Sequence, residues 1–65
     1  MTLHVNGEEL KTDAKTLEEL IKNLQIENQV MAAAVNLNIV KQENWKTCEL
    51  KEGDNVELLR FVGGG

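Results

Sequence analysis

The clearest candidates for chemistry in this sequence are the last three residues, Gly63, Gly64 and Gly65. Glycine has no side-chain chemistry, so any role must come from backbone freedom, small size and the terminal carboxylate of Gly65. A terminal glycine run is more often a frayed end or a cloning remnant. The stretch from Val56 to Val62 predicts a strand, so we expect the glycines to leave an ordered sheet without a polar linker.

Two other side chains could react, but neither has the neighbours that catalysis requires. Cys48 is the single cysteine, so no internal disulfide is predicted, and nothing around it in the sequence suggests an activating base or helix N-terminus. His4 is the single histidine, so no metal-ligand set is predicted, and its expected role is a solvent-side pair with Glu9. The sequence therefore predicts neither an enzyme site nor a bound metal or cofactor.

Composition narrows the classes of partner. The 65 residues make one small domain, and the net charge of −4 without a basic cluster argues against nucleic acid. An acidic surface favours basic protein partners, although it is also a common solubility feature. We see no leader and no apolar run near the roughly 20 residues of a membrane span. We therefore expect a cytoplasmic protein with no membrane partner.

The start of the chain predicts a β-hairpin. Apolar and polar residues alternate, and Asn6-Gly7 suits a type I′ turn, whose two central residues both need a positive φ. A two-residue turn there pairs Leu3 with Leu10 and His4 with Glu9. That register places both leucines on the inner face of the sheet.

A helix is predicted to follow. Thr16 and Glu19 form a capping box, in which Thr16 accepts from the amide of Glu19 and the glutamate reaches back. Apolar residues then recur at helical spacing, at Leu17, Leu20, Ile21 and Leu24. A helix this short is not stable alone in water, so it must lie on the sheet. We interpret its apolar stripe as core and not as a cofactor site.

The middle of the chain is less definite. The segment Val30 to Val35 is rich in alanine, which favours a helix, but it is also a short apolar run, which favours a buried strand. The asparagines behind it and Ile39-Val40 favour a strand, a tight turn and a second short strand. Residues 42–45 could form one helical turn that ends in Trp45, a packing anchor. Residues 50–55 predict a turn, and the last strand is expected to begin at Val56.

The last strand has two faces. Val56 and Leu58 alternate with Leu59 and Phe61, so if the first pair points to the core, the second lies on the other face beside the glycines. The sequence leaves two alternatives for Leu59 and Phe61. They are either an uncovered patch that docks a partner, or they are covered by the loop that runs from residue 42 to residue 50.

Taken together, the whole chain resembles the ThiS family of sulfur carriers of thiamine thiazole biosynthesis. The residues that carry the resemblance are Val5-Asn6-Gly7-Glu8, Thr16-Leu17 with Leu20, Ala34-Val35-Asn36, Ile39-Val40, Trp45, Gly53-Asp54, Val56-Glu57-Leu58 and Val62-Gly63-Gly64-Gly65. The chain departs from the family where many relatives have a proline, at Lys41-Gln42, and in having Cys48.

The resemblance implies a fold. It implies an α+β, β-grasp (ubiquitin-like) mixed sheet with one main helix packed on one face, and with the first and last strands as parallel central neighbours. The β-grasp domain would span residues 1–62, and residues 63–65 would be a flexible glycine tail.

The resemblance also implies what happens at Gly65. A ThiF-type adenylyltransferase would use ATP and magnesium to join the carboxylate to AMP. Sulfur would displace AMP to give a thiocarboxylate, and a ThiG-type thiazole synthase would receive that sulfur. Gly63 and Gly64 would enter a narrow channel of the partner, while Leu59 and Phe61 would dock the folded body.

Three alternatives remain at this level. One is the small subunit of molybdopterin synthase, another β-grasp carrier with a Gly-Gly end. Another is a ubiquitin-like modifier that conjugates to lysines through the same activated glycine. The last is a plain β-grasp interaction domain in which the glycines have no role.

Overall fold

The computed structural model describes residues 1–61. The elements are β1 (Thr2–Val5), β2 (Glu8–Lys11), α1 (Leu17–Asn23), β3 (Val30–Val35), β4 (Asn38–Val40), a 3₁₀ helix (Gln42–Thr47) and β5 (Asn55–Arg60). The predicted boundary at residue 62 and the tail at residues 63–65 lie outside the described residues. The strand predicted between residues 30 and 35 and the short strand behind it are both confirmed.

The five strands form one mixed sheet in the order β2-β1-β5-β3-β4. The neighbours β1 and β5 run parallel, whereas β1 with β2, β5 with β3 and β3 with β4 are antiparallel pairs. Helix α1 packs with strand residues in one apolar cluster, so it covers one face of the sheet. This is the β-grasp arrangement, and the predicted fold class is confirmed.

Two hairpin turns lie on either side of β5. The first has Asn6 at φ 51° and Gly7 at φ 83°, and it sets the predicted register of Leu3 with Leu10. The second, between β3 and β4, has Asn36 at φ 51° and Leu37 at φ 72°. A leucine in the left-handed region is strained by about 1–3 kcal/mol, because its Cβ crowds the backbone.

Helix α1 begins as predicted but with one difference in its cap. The hydroxyl of Thr16 accepts from the amide of Glu19 at 3.2 Å. The Glu19 carboxylate reaches back to the amide of Lys15 at 2.9 Å, one residue before the position that a standard capping box uses. The predicted apolar stripe is buried at Leu17, Leu20 and Ile21.

The core lies between α1 and the covered face of the sheet. Its buried apolar side chains are Leu3, Ala14, Leu17, Leu20, Ile21, Ile26, Ala33, Trp45, Leu50, Val56 and Leu58. Trp45 is a packing anchor as predicted, and its Nε1 donates to the carbonyl of Val40 at 2.9 Å. No helix within residues 1–61 is long and apolar enough to cross a membrane.

The segment after the 3₁₀ helix corrects one prediction. Leu50, expected in a turn, is buried in the core, and β5 begins at Asn55, one residue before the predicted start. The amide of Leu50 donates to the carbonyl of Lys15, which brings this segment beside the start of α1. That long-range contact decides the burial of Leu50, and the sequence around it gives no sign of it.

Candidate functional site

Strand β5 carries the site, because its side chains alternate between the core and an open face. Val56 and Leu58 are buried, whereas Leu59 is 61% exposed and Phe61 is 63% exposed. The 3₁₀ helix that begins the loop from residue 42 packs against α1, on the covered side. The structure therefore leaves Leu59 and Phe61 uncovered, whereas their role in docking a partner stays a prediction.

The open face of the sheet extends the apolar surface beyond β5. In the sheet register Ala32 pairs with Leu59, and Ala34 pairs with Ile39 of the edge strand β4. Ala32, Ile39 and Leu59 line a shallow groove of about 270 Å³. Ile39 is 81% exposed. We call Ile39, Leu59 and Phe61 the open-face patch, and Ile39 is the member that sequence reasoning did not assign to it.

The end of β5 is fastened to the segment that precedes β3. The amide of Phe61 donates to the carbonyl of Gln29 at 2.6 Å. The side chain of Arg60 donates to the Oε1 of Gln29 at 2.7 Å. One residue thus holds the last two positions of the described chain. The predicted site residues Gly63, Gly64 and Gly65 lie outside the residues that the structure describes.

The side chains of two asparagines bind the backbone of β5. Asn6 binds it at Leu58, beyond the end of β1, and Asn36 binds it at Asn55, where β5 begins. The amide of Leu58 donates to Oδ1 of Asn6 at 2.8 Å, and Nδ2 of Asn6 donates to the carbonyl of Leu58 at 3.3 Å. The amide of Asn55 donates to Oδ1 of Asn36 at 2.9 Å. Sequence reasoning recognised Asn6 as a turn residue but missed its contact with β5. Both hairpin turns have an asparagine at their first central position, and this shared residue was the sign in the sequence that could have indicated the contacts.

The two reactive side chains identified in the sequence, Cys48 and His4, lie in different surroundings. Cys48 is half-buried, and burial, with a smaller contribution from the charge of Asp54, raises the pKa of its thiol. It therefore remains protonated at neutral pH, which agrees with its interpretation as a packing residue. His4 is exposed opposite Glu9 in the predicted register. Among residues 1–61, no three His, Cys, Asp or Glu side chains are grouped to hold a metal.

The fold and the site define a β-grasp protein whose last strand bears an exposed apolar patch near the C-terminal end of the described chain. A sequence model of the ThiS family matches residues 3–65. The chain belongs to the ThiS family, and the resemblance found in the sequence is confirmed.

Individual relatives agree with this assignment. The sulfur carrier protein ThiS of Bacillus subtilis is 34% identical over 65 residues, which cover 97% of this chain and 98% of that one. A crystal structure of thiamine biosynthesis protein ThiS from Geobacter metallireducens has a TM-score of 0.81 and 31% identity, with both chains covered completely. A thiazole synthase of Paramagnetospirillum magneticum is 35% identical across this entire chain, which spans 20% of that protein.

Proposed function

We propose that this chain is a sulfur carrier for the synthesis of the thiazole of thiamine, and that the carboxylate of Gly65 is the atom group that carries the sulfur. The observation that carries the proposal is the end-to-end similarity to a sulfur carrier of nearly equal length. The family match extends through the terminal glycines to residue 65. The shared β-grasp fold supports the same conclusion.

The chemistry follows from the poor reactivity of a carboxylate. Its negative charge repels nucleophiles, and oxide is a very poor leaving group. A ThiF-type adenylyltransferase would transfer AMP from ATP to the Gly65 carboxylate and release pyrophosphate, with magnesium in the enzyme's own site. A sulfur nucleophile would then attack the acyl carbon and displace AMP, leaving a thiocarboxylate. In this proposal the chain is a protein substrate and not an enzyme, and it binds no cofactor itself.

The glycine tail has a physical role in this scheme. Gly63 and Gly64 would enter a narrow channel of the enzyme, where residues with a Cβ would clash, and would adopt whatever backbone conformation the channel imposes. Ordering each tail residue costs roughly 1–2 kcal/mol, which must be offset by docking of the folded body. The exposed Leu59 and Phe61 beside the end of β5 are the proposed docking residues.

The acceptor of the sulfur is the second proposed partner. The P. magneticum thiazole synthase contains a stretch similar to the whole of this chain, in a protein about five times as long. A carrier-like segment and a thiazole synthase in one polypeptide are expected where the two must meet. We therefore propose a ThiG-type thiazole synthase as acceptor, with both reactions in the cytoplasm, where ATP is available.

Intact-mass measurement tests the proposal directly. The chain is incubated with ATP, magnesium, a ThiF-type adenylyltransferase and a sulfur source, with the B. subtilis carrier as the positive control. We expect the mass gain that corresponds to exchange of one oxygen for sulfur. A variant that lacks Gly65 should show no gain.

The possible results separate two of the alternatives from the carrier function. An unchanged mass while the B. subtilis carrier is converted would contradict the carrier function and favour a plain interaction domain. Formation of a lysine-linked conjugate in place of the thiocarboxylate would favour the ubiquitin-like modifier.

A further inference from the structure

Strand β5 extends further than its parallel neighbour β1. The ladder between them contains a bond from the amide of His4 to the carbonyl of Asp54 at 2.9 Å and one from the amide of Asn6 to the carbonyl of Val56 at 2.8 Å. The chain then turns away at Asn6-Gly7 towards β2, while β5 continues to Arg60. The half of β5 that leads to the C-terminus therefore extends past the end of β1.

The side chain of Asn6 takes the place of the missing strand. Its Oδ1 accepts from the amide of Leu58 at 2.8 Å, and its Nδ2 donates to the carbonyl of the same residue at 3.3 Å. An asparagine side chain offers one carbonyl and one N–H side by side, as a peptide unit does. Both main-chain groups of Leu58 on this flank are thereby paired, and the ladder is extended beyond the last backbone pair.

The second asparagine turn provides an internal comparison. Asn36 has the same φ of 51° and also binds β5 through its side chain, with Oδ1 accepting from the amide of Asn55 and Nδ2 donating to Asp54. Asn55, however, also pairs with His4 of β1. In addition, the backbone amide of Asn36 donates to the carbonyl of Asn55. Asn36 thus holds an end of β5 that pairs with strands on both sides, whereas Asn6 holds the C-terminal half, which among the described strands pairs only with β3.

We propose that Asn6 is a positioning residue for the tail. By fixing Leu58 on the flank that β1 leaves unpaired, its side chain acts together with β3 and Gln29 on the other flank to set the direction in which β5 presents the adjacent Leu59 and the residues that follow to the adenylyltransferase. The inference rests on the proposed function. A turn role alone would not need the amide, because glycine adopts a positive φ at least as readily as asparagine. Fixing the strand before docking removes an ordering cost that the complex would otherwise bear.

The test compares Asn6→Gly with Asn36→Gly, two variants that keep a turn-compatible residue and lose one side-chain amide each. Hydrogen exchange of the Leu58 amide is measured by NMR in the free protein, and kcat and KM for the carrier are measured in the adenylation reaction. For Asn6→Gly we expect exchange about tenfold faster, as for the loss of one hydrogen bond. We also expect KM to rise about fivefold with kcat within about twofold, because docking alone is affected.

The control and a conservative variant sharpen the result. Asn36→Gly should leave the Leu58 exchange rate and KM unchanged, even if it lowers the melting temperature as much as Asn6→Gly does. Asn6→Asp keeps an acceptor for the Leu58 amide but loses the donor to its carbonyl, so it should give intermediate exchange and KM. A purely structural role would change the melting temperature of both glycine variants without separating their KM values.

Each remaining outcome overturns a specific statement. Unchanged Leu58 exchange in Asn6→Gly would overturn the proposal, and so would faster exchange with a wild-type KM. An equal rise of KM in Asn36→Gly would also overturn it, since no special role for Asn6 would remain. If the wild-type chain is not converted at all but Leu58 exchange is faster in Asn6→Gly, the proposed function fails and the hold of Asn6 on β5 stands.

Discussion

The two faces of β5 carry similar apolar residues in different surroundings, one buried and one exposed. Leu58 is 7% exposed and packs under α1, whereas the next residue, Leu59, is 61% exposed on the open face. Ile39 is exposed and lines the same groove as Leu59, and Phe61, two residues after Leu59, is also exposed. Single exposed apolar side chains are common, whereas neighbouring ones on an uncovered sheet face are the kind of surface for which we propose a docking role. The covered face forms the core, and the open face is the one that we propose for docking.

The largest expected effect is a difference in stability between adjacent leucines. Leu58→Ala leaves a cavity in a small core, so it should lower the free energy of unfolding by about 2–4 kcal/mol. Leu59→Ala removes an exposed side chain and should cost less than about 0.5 kcal/mol. Urea unfolding followed by the fluorescence of Trp45 measures both. Equal losses would show that Leu59 also belongs to the core and would remove the distinction between the faces.

The next prediction concerns binding through the open face. Replacing Leu59 and Phe61 together with serine should raise KM for adenylation by about tenfold, or ~1.4 kcal/mol, because the docking surface is lost while the core is not. The melting temperature should change little.

A matched double variant on the helical side serves as the control. Glu18→Ser with Lys22→Ser removes an exposed ion pair of 3.7 Å on α1 and should leave KM unchanged. Unfolding of the Leu59 and Phe61 double variant would show that these residues are core and would contradict the docking role.

The next prediction, with a smaller expected effect, concerns backbone strain in the two hairpin turns, which belong to neither face of β5. Leu37→Gly should raise the free energy of unfolding by about 0.5–1 kcal/mol, because it relieves a φ of 72° at a side chain that is 86% exposed. Gly7→Ala should lower it by about 1 kcal/mol, since a Cβ at Gly7 meets no atom within 4 Å and only the φ of 83° opposes it. Changes of the same sign in both variants would contradict this explanation.

The smallest effect is expected at the half-buried thiol on the covered side. Burial raises the pKa of Cys48, so the folded state holds this proton more tightly than the unfolded state does. The resulting stability is complete below the pKa of the unfolded thiol and is lost as pH rises through the folded one. Iodoacetamide should therefore modify Cys48 more slowly in the folded chain than in urea between about pH 8 and 9. Equal rates would show an exposed, unperturbed thiol.

Several features of the fold could be predicted because they depend on neighbouring residues. Asn6-Gly7 determines a type I′ turn through the steric cost of a positive φ, and that turn sets the register of the first hairpin. Thr16 determines the start of α1 by offering an acceptor to a free amide. The alternation along β5 determines which residues share a face. The function, in contrast, came from resemblance to a family and not from the chemistry of any side chain.

Other features were decided only by the tertiary structure, because they join residues far apart in the chain. The side-chain amide of Asn6 binds Leu58, 52 positions further along the chain. Leu50 is buried because its segment lies beside the start of α1. The sequence separated the faces of β5, but it could not tell whether the loop after residue 42 covered Leu59. That depended on the packing of the 3₁₀ helix against α1, and this placement leaves Leu59 and Phe61 uncovered at the C-terminal end of β5.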